Sequence, residues 1–70
     1  MATGTVKWFD AQRGFGFIAQ DGGGKDAFVH ITAVERSGLG QLNQGQKLGF
    51  DLVSDRKSGK ASADNLKALD

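Results

Sequence analysis

Alternating apolar and polar positions predict short β-strands along most of the chain. Residues 4–10 are rich in threonine, valine and aromatic side chains, which favour strands, and residues 15–20 and 47–53 alternate regularly. A third strand is expected at 26–31, joined to the second by a glycine-rich turn at 21–25. A polar turn at 54–59 precedes a last strand at 60–69, although 61–69 is also compatible with a helix.

The segment 32–46 breaks these periods and is predicted to be a long irregular connection with a short helical turn at 32–36. Eleven glycines and no proline also favour strands and tight turns, because glycine is costly inside helices. A sheet of five short strands cannot bury one face while it lies flat. We therefore predict an all-β, five-stranded antiparallel barrel that forms one domain over residues 1–70.

Composition narrows the classes of function. The 70 residues contain no cysteine and one histidine, which excludes disulfides and argues against a thiolate or multi-histidine metal site. No apolar run approaches the roughly 20 residues that span a bilayer, and the first residues lack a signal-peptide stretch. We expect a soluble, cytoplasmic, monomeric protein without cofactor, small-molecule substrate or membrane partner. A net charge of +1 means that nucleic-acid binding would depend on local placement of charge.

The third strand indicates which face of the sheet is wet. Phe28 shares its face with Asp26 and His30, whereas the opposite face is aliphatic. If the second and third strands pair, Phe15 and Phe17 join Phe28 and His30 in one exposed aromatic patch. The ordinary alternative is that both phenylalanines fill the core, as most phenylalanines do. If the phenylalanines instead lie on the exposed patch, the residues left for the interior are Ile18, Val29, Leu48, Phe50 and Leu52.

The aromatic patch has the chemistry of a single-strand binding site. Residues 13–18 fit the front of an RNA-recognition signature, although Gln20 stands where a further aromatic is expected. Unpaired bases stack on aromatic rings whatever their identity, while lysine and arginine neutralise phosphates. The flanking basic residues are Lys7, Arg13, Lys25, Arg56, Lys57 and Lys60.

The alternation pattern does not fix the orientation or role of three aromatic side chains. Strict alternation from Val6 places Trp8 inside, and only a bulge near Lys7 would turn it outward. Phe9 is equally ambiguous. His30 either caps the edge of the sheet or stacks against a base.

Residues 7–10, 13–18 and 28–30 together strongly resemble the bacterial cold-shock proteins in order and spacing, and the resemblance extends over nearly the whole chain. It implies an oligonucleotide-binding barrel that binds single-stranded RNA and DNA and acts as an RNA chaperone in transcription antitermination and translation under cold or other stress. It also favours an outward Trp8. The contact residues that it implies are Lys7, Trp8, Phe9, Arg13, Phe15, Phe17, Phe28 and His30.

The sequence departs from that family at several positions. Asp10 replaces a usual asparagine and is expected to place a negative charge near phosphates. Ile31 and Leu39 replace usual aromatics, so they should contact a bound strand without offering a π-face. We expect Arg56 and Lys60, in the turn before the last strand, to contact phosphates.

Two other functions are alternatives to nucleic-acid binding. A barrel of SH3 type would use the same aromatic patch to bind a proline-rich peptide. An enzyme is disfavoured, because His30 has no nucleophile nearby in sequence and no metal-ligand spacing occurs.

Overall fold

Five strands and one short helix make up the computed structural model, which describes residues 1–54 and 59–69. The strands are β1 (Ala2–Asp10), β2 (Phe15–Gln20), β3 (Ala27–His30), β4 (Lys47–Ser54) and β5 (Ala61–Ala68), and the helix α1 (Ile31–Arg36) follows β3. They form a closed barrel in the order β1-β2-β3-β5-β4. The predicted five-stranded barrel is confirmed. The pairing of β3 with β5 is parallel, however, and this closes a barrel that is otherwise antiparallel.

Among residues 1–54 and 59–69 the barrel interior is aliphatic apart from one ring, Phe50. It includes four of the five residues predicted for the interior, namely Ile18, Val29, Leu48 and Phe50, each with 0% of its surface exposed. The other buried apolar residues are Val6, Ala27, Ala33, Val34, Leu42, Ala63 and Leu66.

Leu52 is the exception, and its predicted burial is wrong. The register of β4 against β5 shifts between Gly49 and Asp51, which marks a bulge or irregularity in the pairing. Beyond it both faces of β4 are exposed, with Leu52 at 43% and Val53 at 51%. Alternation along β4 therefore stops predicting burial after Phe50.

The two ambiguous segments are settled by long-range contacts. Residues 61–68 form a strand and not a helix, with Ala63 and Leu66 buried in the barrel. Asn65 has a φ of 50°, a left-handed conformation that interrupts the regular strand. The expected helical turn is present as α1, which begins at Ile31, one residue earlier than predicted, and buries Ala33 and Val34.

An ion pair ties the end of β2 to the start of β4. The Lys47 ammonium lies 2.6 Å from both carboxylate oxygens of Asp21, and the Thr3 hydroxyl donates to the same carboxylate at 2.9 Å. Hydrogen bonding from Lys47, helped by Thr3, holds the pKa of Asp21 below its usual value.

Candidate nucleic-acid interface

Five rings from three adjacent strands form one cluster on the outside of the barrel, which we call the aromatic surface: Trp8, Phe15, Phe17, Phe28 and His30. Phe15 pairs with His30, and Phe17 with Phe28, across β2 and β3. Neighbouring ring centroids are 5.5 to 6.4 Å apart. The rings are half-buried or exposed, so the predicted clustering on a wet face is confirmed. Their positions relative to a bound strand stay a prediction.

A bulge in β1 turns the tryptophan outward. The register of β1 against β2 shifts between Val6 and Trp8, so that Val6 is 1% exposed whereas Trp8 is 40% exposed. Trp8 then contacts Phe15 and Phe17, each at a centroid distance of 5.5 Å. The outward alternative for Trp8 is the correct one.

Gly16 allows β1 and β2 to approach each other beneath these rings. A Cβ atom at this position would collide with the carbonyl oxygen of Trp8 and would lie 2.8 Å from both the Cα and the ring of Phe9. Only glycine fits this space. Phe9 itself is half-buried and packs against the core, which sets it apart from the five clustered rings.

His30 caps the helix that follows β3 and not the edge of the sheet, and its stacking against a base stays a prediction. Its Nδ1 accepts a hydrogen bond from the backbone N–H of Thr32 at 3.2 Å, which makes His30 the N-cap of α1. The same ring lies 6.4 Å from the ring of Phe28. The cap orients the imidazole at the end of the aromatic surface.

Two of the predicted basic contacts are already paired with carboxylates. Lys7 donates to Asp26 at 2.9 Å, and the Arg13 guanidinium lies 3.6 Å from Asp10. Both pairs are substantially exposed, and such pairs contribute little stability, so exchanging a carboxylate for a phosphate costs little.

Asp10 has a structural role that sequence reasoning missed. Its Oδ1 accepts from the backbone N–H groups of Gln12 and Arg13 at 3.0 and 3.2 Å, and its carbonyl accepts from Gly14 at 2.8 Å. The carboxylate thus orders the turn that leads into β2.

The remaining predicted contacts are Lys25 and Lys60, which lie beside the aromatic surface, and two aliphatic residues, which pack against other parts of the barrel. Lys25 and Lys60 line a concave site over Phe17 and Phe28. Ile31 begins α1, so the chain does bend after His30, and its half-buried side chain packs beside Gly14. Leu39 is half-buried against the core. Arg56 and Lys57 lie outside the described residues.

Sequence reasoning also missed a concave site of about 640 Å³ beside Trp8 and Phe17. Its polar lining includes Asp26 and Gln44. Asp26 could have been found from the face that it shares with Phe28. No sequence pattern pointed to Gln44, because it lies in a loop that reaches Trp8 and Phe17 only in the folded barrel.

Within residues 1–54 and 59–69 no group of three or more acidic, histidine or cysteine side chains could hold a metal ion. No helix in that part of the chain is long and apolar enough to cross a membrane.

Comparison with known proteins assigns the chain to a family. The family model described as the 'Cold-shock' DNA-binding domain matches residues 2–69. The chain belongs to this family. This family match favours nucleic-acid binding over the peptide binding of an SH3-type barrel. Nucleic-acid binding in a stress response is the general function of the family.

Named relatives agree with the cold-shock assignment. The chain is 68% identical over 68 residues to the probable cold shock protein y4cH of Sinorhizobium fredii, covering 97% of this chain and 99% of the relative. It is 59% identical to the cold shock protein CspA of Rhizobium meliloti over the same shares. It is 46% identical to the major cold shock protein of Streptococcus pyogenes over 87% of this chain and 90% of that protein.

Proposed function

We propose that this cold-shock domain binds single-stranded RNA and DNA with little sequence specificity and acts as a monomeric, cytoplasmic RNA chaperone. The observation that carries the proposal is the aromatic surface, in which five rings from three strands lie together and are at least partly exposed. Each base that stacks on such a ring contributes about 1 to 3 kcal/mol, and every base has a face that can stack. Binding of this kind has low sequence specificity.

Single strands are preferred for a geometric reason. In a duplex each base is stacked between its neighbours and its face cannot reach Trp8 or Phe17. A protein that binds only the unpaired state stabilises that state by mass action. This linkage is the physical basis of the proposed chaperone activity, in melting RNA structure, in transcription antitermination and in translation.

Basic side chains around the rings supply the phosphate contacts. Lys7, Arg13, Lys25 and Lys60 surround the aromatic surface, and Arg56 is proposed to add another contact. For a single strand the logarithm of affinity should fall against the logarithm of salt concentration with a slope of about −0.7 per phosphate, hence about −3 for four contacts. At the margins, Phe9, Ile31 and Leu39 are proposed to exclude water from the bound strand.

The test is a titration of labelled oligothymidine, followed by fluorescence anisotropy at several salt concentrations. The expected result is salt-dependent binding that is much weaker for a duplex of oligothymidine with oligoadenine. A second assay follows the opening of a labelled RNA hairpin, which increasing protein should promote. Equal affinity for duplex and single strand, or hairpins that stay closed at saturating protein, would refute the proposal.

A further inference from the structure

A groove leaves the aromatic surface at His30 and runs between α1 and β5. Its first part, a cavity of about 160 Å³, is lined by Phe28 and His30 at one end and by Arg36 and Asp64 at the other. A second cavity, of about 370 Å³, begins at the same Arg36 and Asp64 and continues to Lys67. The two cavities share Arg36 and Asp64 in their linings, and we call them together the α1–β5 groove.

The two residues that line both cavities, Arg36 and Asp64, form an ion pair. The Arg36 Nη2 lies 3.6 Å from the Asp64 Oδ1, and the arginine side chain is 68% exposed. An exposed pair at this distance is weak, so the guanidinium can turn to another anion at little cost. Arginine also matches phosphate geometry through its planar set of donors.

The far end of the groove carries further positive charge. Lys67 is exposed and lines the second cavity. Asp64 is the acidic residue of the lining in both cavities. The groove is thus continuous with the aromatic surface and has a basic lining that one carboxylate opposes.

We propose that the α1–β5 groove holds the continuation of the same single strand beyond His30. Arg36 and Lys67 contact its phosphates, and Asp64 competes with those phosphates for Arg36. The inference rests on the proposed function, because the strand reaches the groove only after it has occupied the aromatic surface. It assigns to this chain a longer site than the rings alone provide.

The experiment compares oligothymidines of about six and about twelve nucleotides, lengths within the range of site sizes for barrels of this kind. Binding is measured with oligonucleotide in excess for wild type, Arg36→Gln and Asp64→Asn. Arg36→Gln should lower affinity only for the longer strand and should reduce its log-log salt slope by about 0.7. Asp64→Asn should raise affinity for the longer strand, since it frees Arg36 while its amide oxygen can still accept from the backbone N–H of Asn65.

The two variants are expected to change affinity in opposite directions, and this distinguishes strand binding in the groove from a purely structural role of the ion pair. If the pair only stabilised the fold, both variants would lower stability and neither would distinguish the two lengths. Glu35→Gln is the matched control for Asp64→Asn, because both substitutions remove one negative charge. Glu35 is exposed on α1 and lines neither cavity. Urea unfolding of all variants confirms that each remains folded.

Each outcome is decisive. Normal binding of the shorter strand with no length-dependent effect of Arg36→Gln would overturn the groove and leave the proposed function standing. No binding of the shorter strand by wild type would refute the proposed function itself. An Asp64→Asn effect no larger than that of Glu35→Gln would also overturn the groove.

Discussion

Replacing Phe17 with alanine removes the central ring of the aromatic surface. This ring contacts Trp8 at 5.5 Å, Phe28 at 5.8 Å and Phe15 at 6.3 Å between centroids. Losing one stacking platform should weaken single-strand binding by about 1 to 3 kcal/mol, which is about five- to 150-fold in Kd. The measurement that checks this is the anisotropy of a labelled oligonucleotide, because Trp8 fluorescence would itself change when its neighbour is removed.

The cost to stability should be moderate. A fully buried phenylalanine replaced with alanine costs about 3 to 5 kcal/mol, and Phe17 is partly exposed, so a smaller loss of about 2 to 4 kcal/mol is expected. Phe50→Ala is the matched control, since Phe50 is fully buried and should show the full loss in urea unfolding. Phe17→Leu keeps most of the apolar contact without the ring, and should lose affinity with a stability change under about 1.5 kcal/mol.

One outcome would refute the assignment of Phe17 to the binding surface. If Phe17→Ala destabilises the protein as much as Phe50→Ala, while the folded fraction binds oligonucleotide normally, Phe17 is a core residue. Normal binding by Phe17→Leu would likewise show that the π-face has no part in recognition.

Three further predictions concern the scaffold of the site. Gly16→Ala should destabilise the fold by about 1 to 3 kcal/mol or more, because its methyl group has no space, whereas Gly22→Ala, with nothing within 4 Å, should be nearly neutral in urea unfolding. Asp10→Asn should keep the turn and its stability but tighten single-strand binding at low salt, since it removes a carboxylate beside the Arg13 guanidinium, which we propose contacts phosphate; weaker binding would contradict this. Because the folded-state pKa of Asp21 is lowered, its pairing with Lys47 stabilises the fold above the usual carboxyl pKa of 3.8, and this contribution is lost as pH falls through the lowered value. Lys47→Met should therefore flatten the acid limb of stability against pH, and an unchanged limb would show that the pair is not responsible.

Local patterns were enough to predict the barrel and the faces of two of its strands. The side chains of β2 and β3 alternate with a period of two, so the polar neighbours of Phe28 identified the outer face from sequence alone. The sequence predicted only that Phe17 and Phe28 share one patch if the two strands pair, and the structure supplied their direct pairing. The phenylalanines of these strands, together with the basic residues predicted to flank them, also led to the proposal of a single-stranded nucleic acid as the ligand.

Only the tertiary structure decided where alternation fails and what distant segments contribute. The bulge that exposes Trp8 and the irregularity beyond which Leu52 is exposed both depend on register against neighbouring strands, which no local period records. The side chain of Asp10 could be interpreted as a charge but not as a turn acceptor until the backbone of the turn was known. The pairing of Arg36 with Asp64 joins a helix and a strand that are far apart in sequence. Such contacts arise when the barrel closes, because closure brings together residues whose separation along the chain gives no signal.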